Sequence, residues 1–267
     1  MKKENILIGP AGTGGADLQN FKNIKKLGLD SVEVEFTYGV WMKKEQALKI
    51  AELNKNLNLR LSIHAPYFIN LNSAEKQKVG ASRSRILKSC EIGHYLSTGK
   101  EDKIPVVFHA GFYQKDSKEI CYNHIKEEII KIQEQIKENK WNVILCPETT
   151  GKASQFGDLD ELLQLIKEVK CGICVDYAHL KARYNGVIDY DKIMEKLKPL
   201  CKDHLIHAHF SGIEYTAKGE RRHLPTPPNE IKELFSYIQK YSIHTNIICE
   251  APDPLGDALK MKKLLAN

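Results

Sequence analysis

Six short apolar runs in this 267-residue sequence end in a residue that can bind a metal ion or move a proton. Arg60-Leu61-Ser62-Ile63 ends at His64, and Ile104-Pro105-Val106-Val107-Phe108 at His109. Val143-Ile144-Leu145-Cys146-Pro147 ends at Glu148, and Gly172-Ile173-Cys174-Val175 at Asp176. Leu205-Ile206-His207-Ala208 ends at His209, and Ile247-Ile248-Cys249 at Glu250. Imidazole and carboxylate are ligands for zinc, manganese or iron(II). Three histidines and three carboxylates are more than one four-coordinate ion needs. Two or more ions sharing a bridging carboxylate would use them. Such a pair, roughly 3.5–4 Å apart, clamps a phosphodiester and activates water; zinc lowers the pKa of water to about 7. Buried together without a cation, these groups would cost on the order of several kcal/mol per uncompensated charge.

Two further histidines join the set. Asp176-Tyr177-Ala178-His179 places His179 just past a strand end, and His223 lies in a long loop after the seventh strand. His207 and His209 alternate by two and share a face, so either could be the ligand. Position at the extreme strand end favours His209.

Runs rich in Val and Ile read as strands buried on both faces. Strand one is Ile6-Leu7-Ile8, followed by a glycine-rich turn over 9–15. A helix from about Ala16 to Leu27 stops at Gly28. Strand two, Ser31 to Phe36, alternates so that one face stays partly polar. Helices follow at Lys43 to about Leu57 and Glu75 to Leu96. Ile125, Ile129, Ile132 and Ile136 make one helical stripe; Leu159, Leu162, Leu163 and Ile166 make another, with Asp158 as its cap. Asp189 to about Leu200 is the sixth helix, Ile231, Leu234, Phe235 and Ile238 mark the seventh, and Leu255 to Leu265 closes the chain. Eight strands alternating with eight helices predict one (β/α)8 barrel, a TIM barrel, as a single domain over residues 1–267. Enzymes of this fold work at the C-terminal ends of the strands, where every residue of the series falls.

The length suits one such barrel, typically about 250 residues. No linker divides the chain, no apolar stretch is long enough for a membrane span, and the N-terminus lacks the apolar region of a signal peptide. The seven cysteines lie mostly in apolar runs or helical patterns, which reads as reduced thiols in a cytoplasmic protein. The Cys171-Gly172-Ile173-Cys174 spacing reads as packing. A net charge of +6 and a pI near 8.8 are compatible with a polyanionic partner.

The ordered segments His64-Ala65-Pro66-Tyr67-Phe68-Ile69-Asn70-Leu71, Phe108-His109-Ala110-Gly111, Pro147-Glu148-Thr149-Thr150-Gly151, Val175-Asp176-Tyr177-Ala178-His179 and His209-Phe210-Ser211 resemble the endonuclease IV family of apurinic/apyrimidinic (AP) endonucleases, within the xylose isomerase-like superfamily. The resemblance covers nearly the full length. It implies a zinc-dependent hydrolase of base-excision repair that cuts DNA 5′ to abasic sites and acts as a monomer. It implies a first zinc on His64, His109 and Glu148, and a second on Glu148, Asp176, His209 and Glu250. A third would sit on His179 and His223. Glu148 would be the bridging, catalytic carboxylate. Manganese is an alternative metal.

Two positions depart from the family pattern. The family's third site has an Asp two residues before its last His; here that position is Arg221, with Glu220 one residue away. Either Glu220 reaches in through a shifted loop, or the third zinc is weak or absent. The loop after strand two carries Tyr38 and Trp41 where the family has a basic residue; aromatics there could stack on an unpaired base. Tyr67, Asn70 and the Gly14-Gly15 turn match DNA-facing positions, with Gly15 amides available to a phosphate. Arg221, Arg222, Lys181 and Arg183 are candidate phosphate contacts. The alternatives are a metal-dependent sugar isomerase or epimerase on the same barrel, and a nucleic-acid binder that does not cleave.

Overall fold

The computed structural model describes residues 5–99, 103–202 and 205–266. The first residues weighed for targeting, 1–4, lie outside them. Eight parallel strands form a closed barrel: β1 (Ile6–Pro10), β2 (Ser31–Glu35), β3 (Arg60–His64), β4 (Ile104–Phe108), β5 (Val143–Pro147), β6 (Cys174–Asp176), β7 (Ile206–Phe210) and, after an inserted hairpin, β10 (Thr245–Cys249). Hydrogen-bonded pairing runs β1-β10-β7-β6 in one half and β2-β3-β4-β5 in the other. Parallel bridges Ala11↔Glu33 and Glu148↔Cys174 join the halves. A Cβ at Gly9 would overlap the Ser31 carbonyl, so glycine is what lets β1 approach β2 at that seam.

The helices coat the barrel: α1 (Leu18–Lys26), α2 (Lys44–Leu57), α3 (Lys76–Leu96), α4 (Lys118–Glu138), α5 (Leu159–Val169), α6 (Tyr177–Arg183), α7 (Tyr190–Leu197), α8 (Pro228–Tyr241) and α9 (Pro254–Ala266). Their apolar stripes meet the outward faces of the strands in one continuous core. In α4 the expected Ile125, Ile129, Ile132 and Ile136 are buried there. Asp158 caps α5 in a reciprocal box with Glu161, and Gly28 ends the first helical segment at φ +81°. Among the described residues, no helix is long and apolar enough to cross a membrane.

The lumen differs from the usual branched apolar filling of such barrels. Among the described residues, Val107, Cys146 and Cys174, with Ile144, form a small apolar cluster apart from the main core. Glu33, Ser62, His207 and Asn246 are buried beside them in the strand register. The barrel therefore has an apolar jacket and a polar bore.

Two segments depart from expectation. The stretch after β7 is not an open loop but an antiparallel hairpin, β8 (Gly212–Thr216) and β9 (Gly219–Leu224). The segment after β6 begins at once with a seven-residue helix, α6, before the expected helix α7 and a 3-10 turn over Lys198–Lys202.

Candidate metal centre

Each candidate ligand stands at the C-terminal rim because its strand ends there. His64 and Asp176 are the last residues of β3 and β6, His209 is next to last in β7, and His109, Glu148 and Glu250 follow β4, β5 and β10 directly. Asp176 also caps α6, its Oδ1 accepting from the His179 backbone N–H at 2.7 Å. That cap aims His179 back over the rim. Parallel strands bring all of these side chains into one bowl.

Glu148 is the hub. Its Oε2 lies 3.2 Å from His64 Nε2 and 2.9 Å from His109 Nε2. Its Oε1 lies 3.0 Å from His209 Nδ1 and 3.5 Å from His179 Nδ1. One carboxylate thus turns one oxygen to each half of the cluster. Among the described residues, donor atoms converge within 4.8 Å in overlapping groups, three of them on the expected ligands: His64, His109 and Glu148; Glu148, Asp176, His209 and Glu250; Asp176, His179 and His223; deeper in the bore, Cys174 and His207 converge with His209. Of the three on the expected ligands, Glu148 is common to the first two and Asp176 to the second and third.

The hairpin answers the question raised by Arg221. Across β8 and β9, Glu214 pairs with Arg222 but Tyr215 pairs with Glu220, so Arg221 is the extra residue of a β-bulge. In a regular strand, residues 221 and 223 would share a face. The inserted residue shifts that parity, and Glu220 points inward with His223. Glu220 Oε2 lies 3.1 Å from His179 Nε2 and accepts from the Gly151 N–H at 3.1 Å. A Cβ on Gly151 would overlap that oxygen. Arg221 and Arg222 instead turn to solvent and pair with Glu214 at 3.0 and 2.6 Å.

The electrostatics are those of a cluster holding protons where cations would fit. Burial pushes the Glu148 carboxyl up, but the charges of His109 and His209 outweigh it and hold it well below the ordinary range. Glu250 is also driven up by burial and down further by His209, to about 2. His64 is driven down by burial and up by Glu35 and Glu148, reaching about 10. Burial likewise drives His179 and His209 down, but the carboxylates around them, with the Cys174 thiol beside His209, lift both well above an ordinary imidazole. Burial raises Asp176 to about 6, partly countered by His179. Asp176 Oδ2 and Glu35 Oε1 are buried without a hydrogen-bond partner. Imidazoles and carboxylates packed this way, with orphaned oxygens aimed among them, fit two or three divalent cations of the zinc or manganese type.

Strand β2 supplies two residues that sequence reasoning missed. Glu33 is fully buried, 2.8 Å from both His207 Nε2 and His209 Nε2. Glu35, raised by burial to about 8, joins Glu33 and Glu250 in a further convergent group. The period-two alternation of Ser31-Val32-Glu33-Val34-Glu35 was the available signal. His207 sits deeper than His209 and bonds Glu33, away from Glu148.

The rim residues expected to meet DNA divide into two kinds. Tyr38 is 82% exposed, beside Phe68, which is 60% exposed and was not anticipated; their rings are 6.3 Å apart. Tyr67 is exposed against His64, and Gly15 lies open at φ +104°. Trp41 is partly committed, its indole N–H donating to the Glu35 carbonyl. Asn70 braces its own loop, accepting from the backbone N–H groups of Asn72 and Phe112. Arg183 does not face the rim: its buried guanidinium donates through Nη1 to the Thr150, Lys152 and Gln155 carbonyls and through Nη2 to the Tyr113 hydroxyl, with Nε 3.4 Å from Asp158, so it anchors the loop after β5. Lys181 pairs with Glu230 at 2.7 Å.

Comparison with known proteins places this geometry. Residues 21–266 match the model of the xylose isomerase-like TIM barrels. The chain belongs to that family. Within it, the chain is 40% identical to protein MJ0133 of Methanocaldococcus jannaschii, over 98% of both chains. It is 27% identical to a "Probable endonuclease 4" of Malacoplasma penetrans, over 66% of this chain and 62% of that one. A protein of the same name from Aquifex aeolicus is 22% identical over 78% and 77%. Among solved structures, a D-tagatose 3-epimerase-like protein superposes with a TM-score of 0.71 at 17% identity, covering 98% and 96% of the two chains. The structure titled SacUVDE gives 0.69 at 18%, covering 95% and 87%. These two likenesses concern the fold.

Proposed function

We propose that this family member is a metal-dependent phosphodiesterase that cuts DNA 5′ to abasic sites, as the resemblance to the endonuclease IV enzymes implies. The observation that carries the reading is the placement of Glu148 between two donor groups, with Asp176 linking a third. A small-sugar enzyme has little use for so many imidazoles on one rim. His64, His109 and Glu148 would hold one cation; Glu148, Asp176, His209 and Glu250 a second; Asp176, His179 and His223, with Glu220, a third. When bound, such ions supply Lewis acidity at the phosphoryl oxygens and a nucleophile at neutral pH. The chain's own residues do the rest. Glu148 holds the two halves of the bowl in register. Tyr67, Tyr38 and Phe68 offer aromatic faces at its edge, on which bases beside an extruded abasic sugar can stack. A missing base makes that extrusion cheap, and this selects the lesion.

A second reading has a specific support. Glu35, raised by burial to about 8, keeps its proton at neutral pH beside Glu250, which suits a group that exchanges a proton with a neutral polyol. In that reading Glu148, Asp176, His209 and Glu250 hold one cation and Glu35 moves a proton in a sugar epimerisation. One assay separates the two: a duplex with a single abasic analogue, incubated with and without chelator. Chelator-sensitive nicking 5′ to the analogue supports the first reading. Intact DNA with interconversion of free sugars supports the second, and binding without nicking supports a non-cleaving relative.

A further inference from the structure

A chain of polar contacts crosses the bore below the candidate ligands. The Asn246 amide donates to His207 Nδ1 at 3.4 Å, which leaves Nε2 as the protonated nitrogen of that ring. His207 Nε2 then donates to Glu33 Oε2 at 2.8 Å. Pinned in this way, Glu33 sets its other oxygen 2.8 Å from His209 Nε2. This last contact is close but not aligned as a hydrogen bond, since both atoms count among the buried groups without a hydrogen-bond partner. On the far side of the same ring, Nδ1 is hydrogen-bonded to Glu148 Oε1 at 3.0 Å and lies 3.2 Å from Glu250, so without a cation this nitrogen carries a proton in the place a metal ion would take.

We infer that Glu33 is a positioning residue for the metal centre. It keeps the proton of His209 on Nε2 and so presents the Nδ1 lone pair to a cation shared with Glu148, Asp176 and Glu250. Histidine ligands generally give their other N–H to a carboxylate or carbonyl, which fixes the tautomer and strengthens the donor. Glu33 comes from β2 and His209 from β7, strands separated in the barrel by β1 and β10. The contact therefore crosses the bore instead of running between paired neighbours. The inference rests on the metal reading of the rim.

The substitution Glu33→Gln tests it. With His207 still donating to the side-chain oxygen, the glutamine NH2 faces His209 Nε2 and favours the opposite tautomer. Metal titration of the whole protein is expected to show about 10–100-fold weaker binding at the His209 site, the usual cost of losing such a partner. Binding at the His64 and His109 site is expected to persist. Nitrogen-15 NMR of the metal-loaded wild type needs no variant: it is expected to show His209 metal-bound through Nδ1 and protonated on Nε2. Metal on Nε2 overturns the inference, as does unchanged affinity in a folded Glu33→Gln protein. A wild type that takes up no metal overturns both the inference and the metal reading beneath it.

Discussion

Glu220 faces His179 across 3.1 Å, in a space that exists because residue 151 is glycine. The bulge at Arg221 turns Glu220 inward and leaves the two arginines outside. Sequence spacing alone puts an arginine beside the third site; one unpaired residue in the hairpin replaces it with a carboxylate.

A pair of substitutions follows from this. Glu220→Ala removes the carboxylate, and Gly151→Ala displaces it by steric overlap. Both are expected to lower bound metal by one equivalent, to two per chain, while Arg221→Ala leaves the count unchanged. Elemental analysis after dialysis measures this. Loss of metal on removing Arg221, with none on removing Glu220, would reverse the assignment.

Glu148→Gln keeps the shape of the hub but removes its charge. Charge stabilisation by cations contributes several kcal/mol to such reactions, so hydrolysis is expected to fall on the order of 10³-fold. The variant should also hold less metal in both groups that share Glu148. Activity within a few-fold of wild type would show that Glu148 is not the bridge.

The chelator-treated protein should lose stability as pH rises. His64 has a folded value of about 10 against an ordinary 6.5. A raised histidine pKa stabilises the fold fully below the unfolded value and loses that contribution as pH passes through the folded one. Thermal midpoints should therefore decline between about pH 6.5 and pH 10. His64→Gln should make the decline shallower, with His179 and His209 carrying what remains, and metal-loaded protein should show less of it, since the cation displaces the proton. A flat profile in the chelated wild type contradicts the proton-holding picture.

Tyr38 and Phe68 form an exposed aromatic pair at the edge of the bowl, outside the donor groups. Base stacking on one aromatic residue contributes about 1–3 kcal/mol. Replacing both with Ala should weaken binding to abasic duplex by at least tenfold while metal content stays at the wild-type level. Fluorescence anisotropy measures the first and elemental analysis the second. Unchanged DNA affinity would remove this pair from the interface.

What the sequence made legible follows from burial. Strands covered on both faces must be apolar until they emerge, so the polar residue at each exit stands out, as at His64, Glu148 and Asp176. Glu33 and Glu35 escaped because alternation usually marks a strand with one solvated face. Here the polar face lines a bore, and Glu33 is wholly buried. The hairpin escaped because Glu214, Glu220, Arg221 and Arg222 give it the charge of a loop, and its bulge breaks the period-two pattern. Helix α6 is too short to show a stripe, and its cap, Asp176, already read as a ligand.

Anomalous scattering from a crystal grown with zinc addresses the metal centre most directly. Peaks are expected between His64, His109 and Glu148, between Glu148, Asp176, His209 and Glu250, and beside His179, His223 and Glu220. Data collected at the zinc edge that show no peak at the C-terminal rim of the barrel would contradict the account.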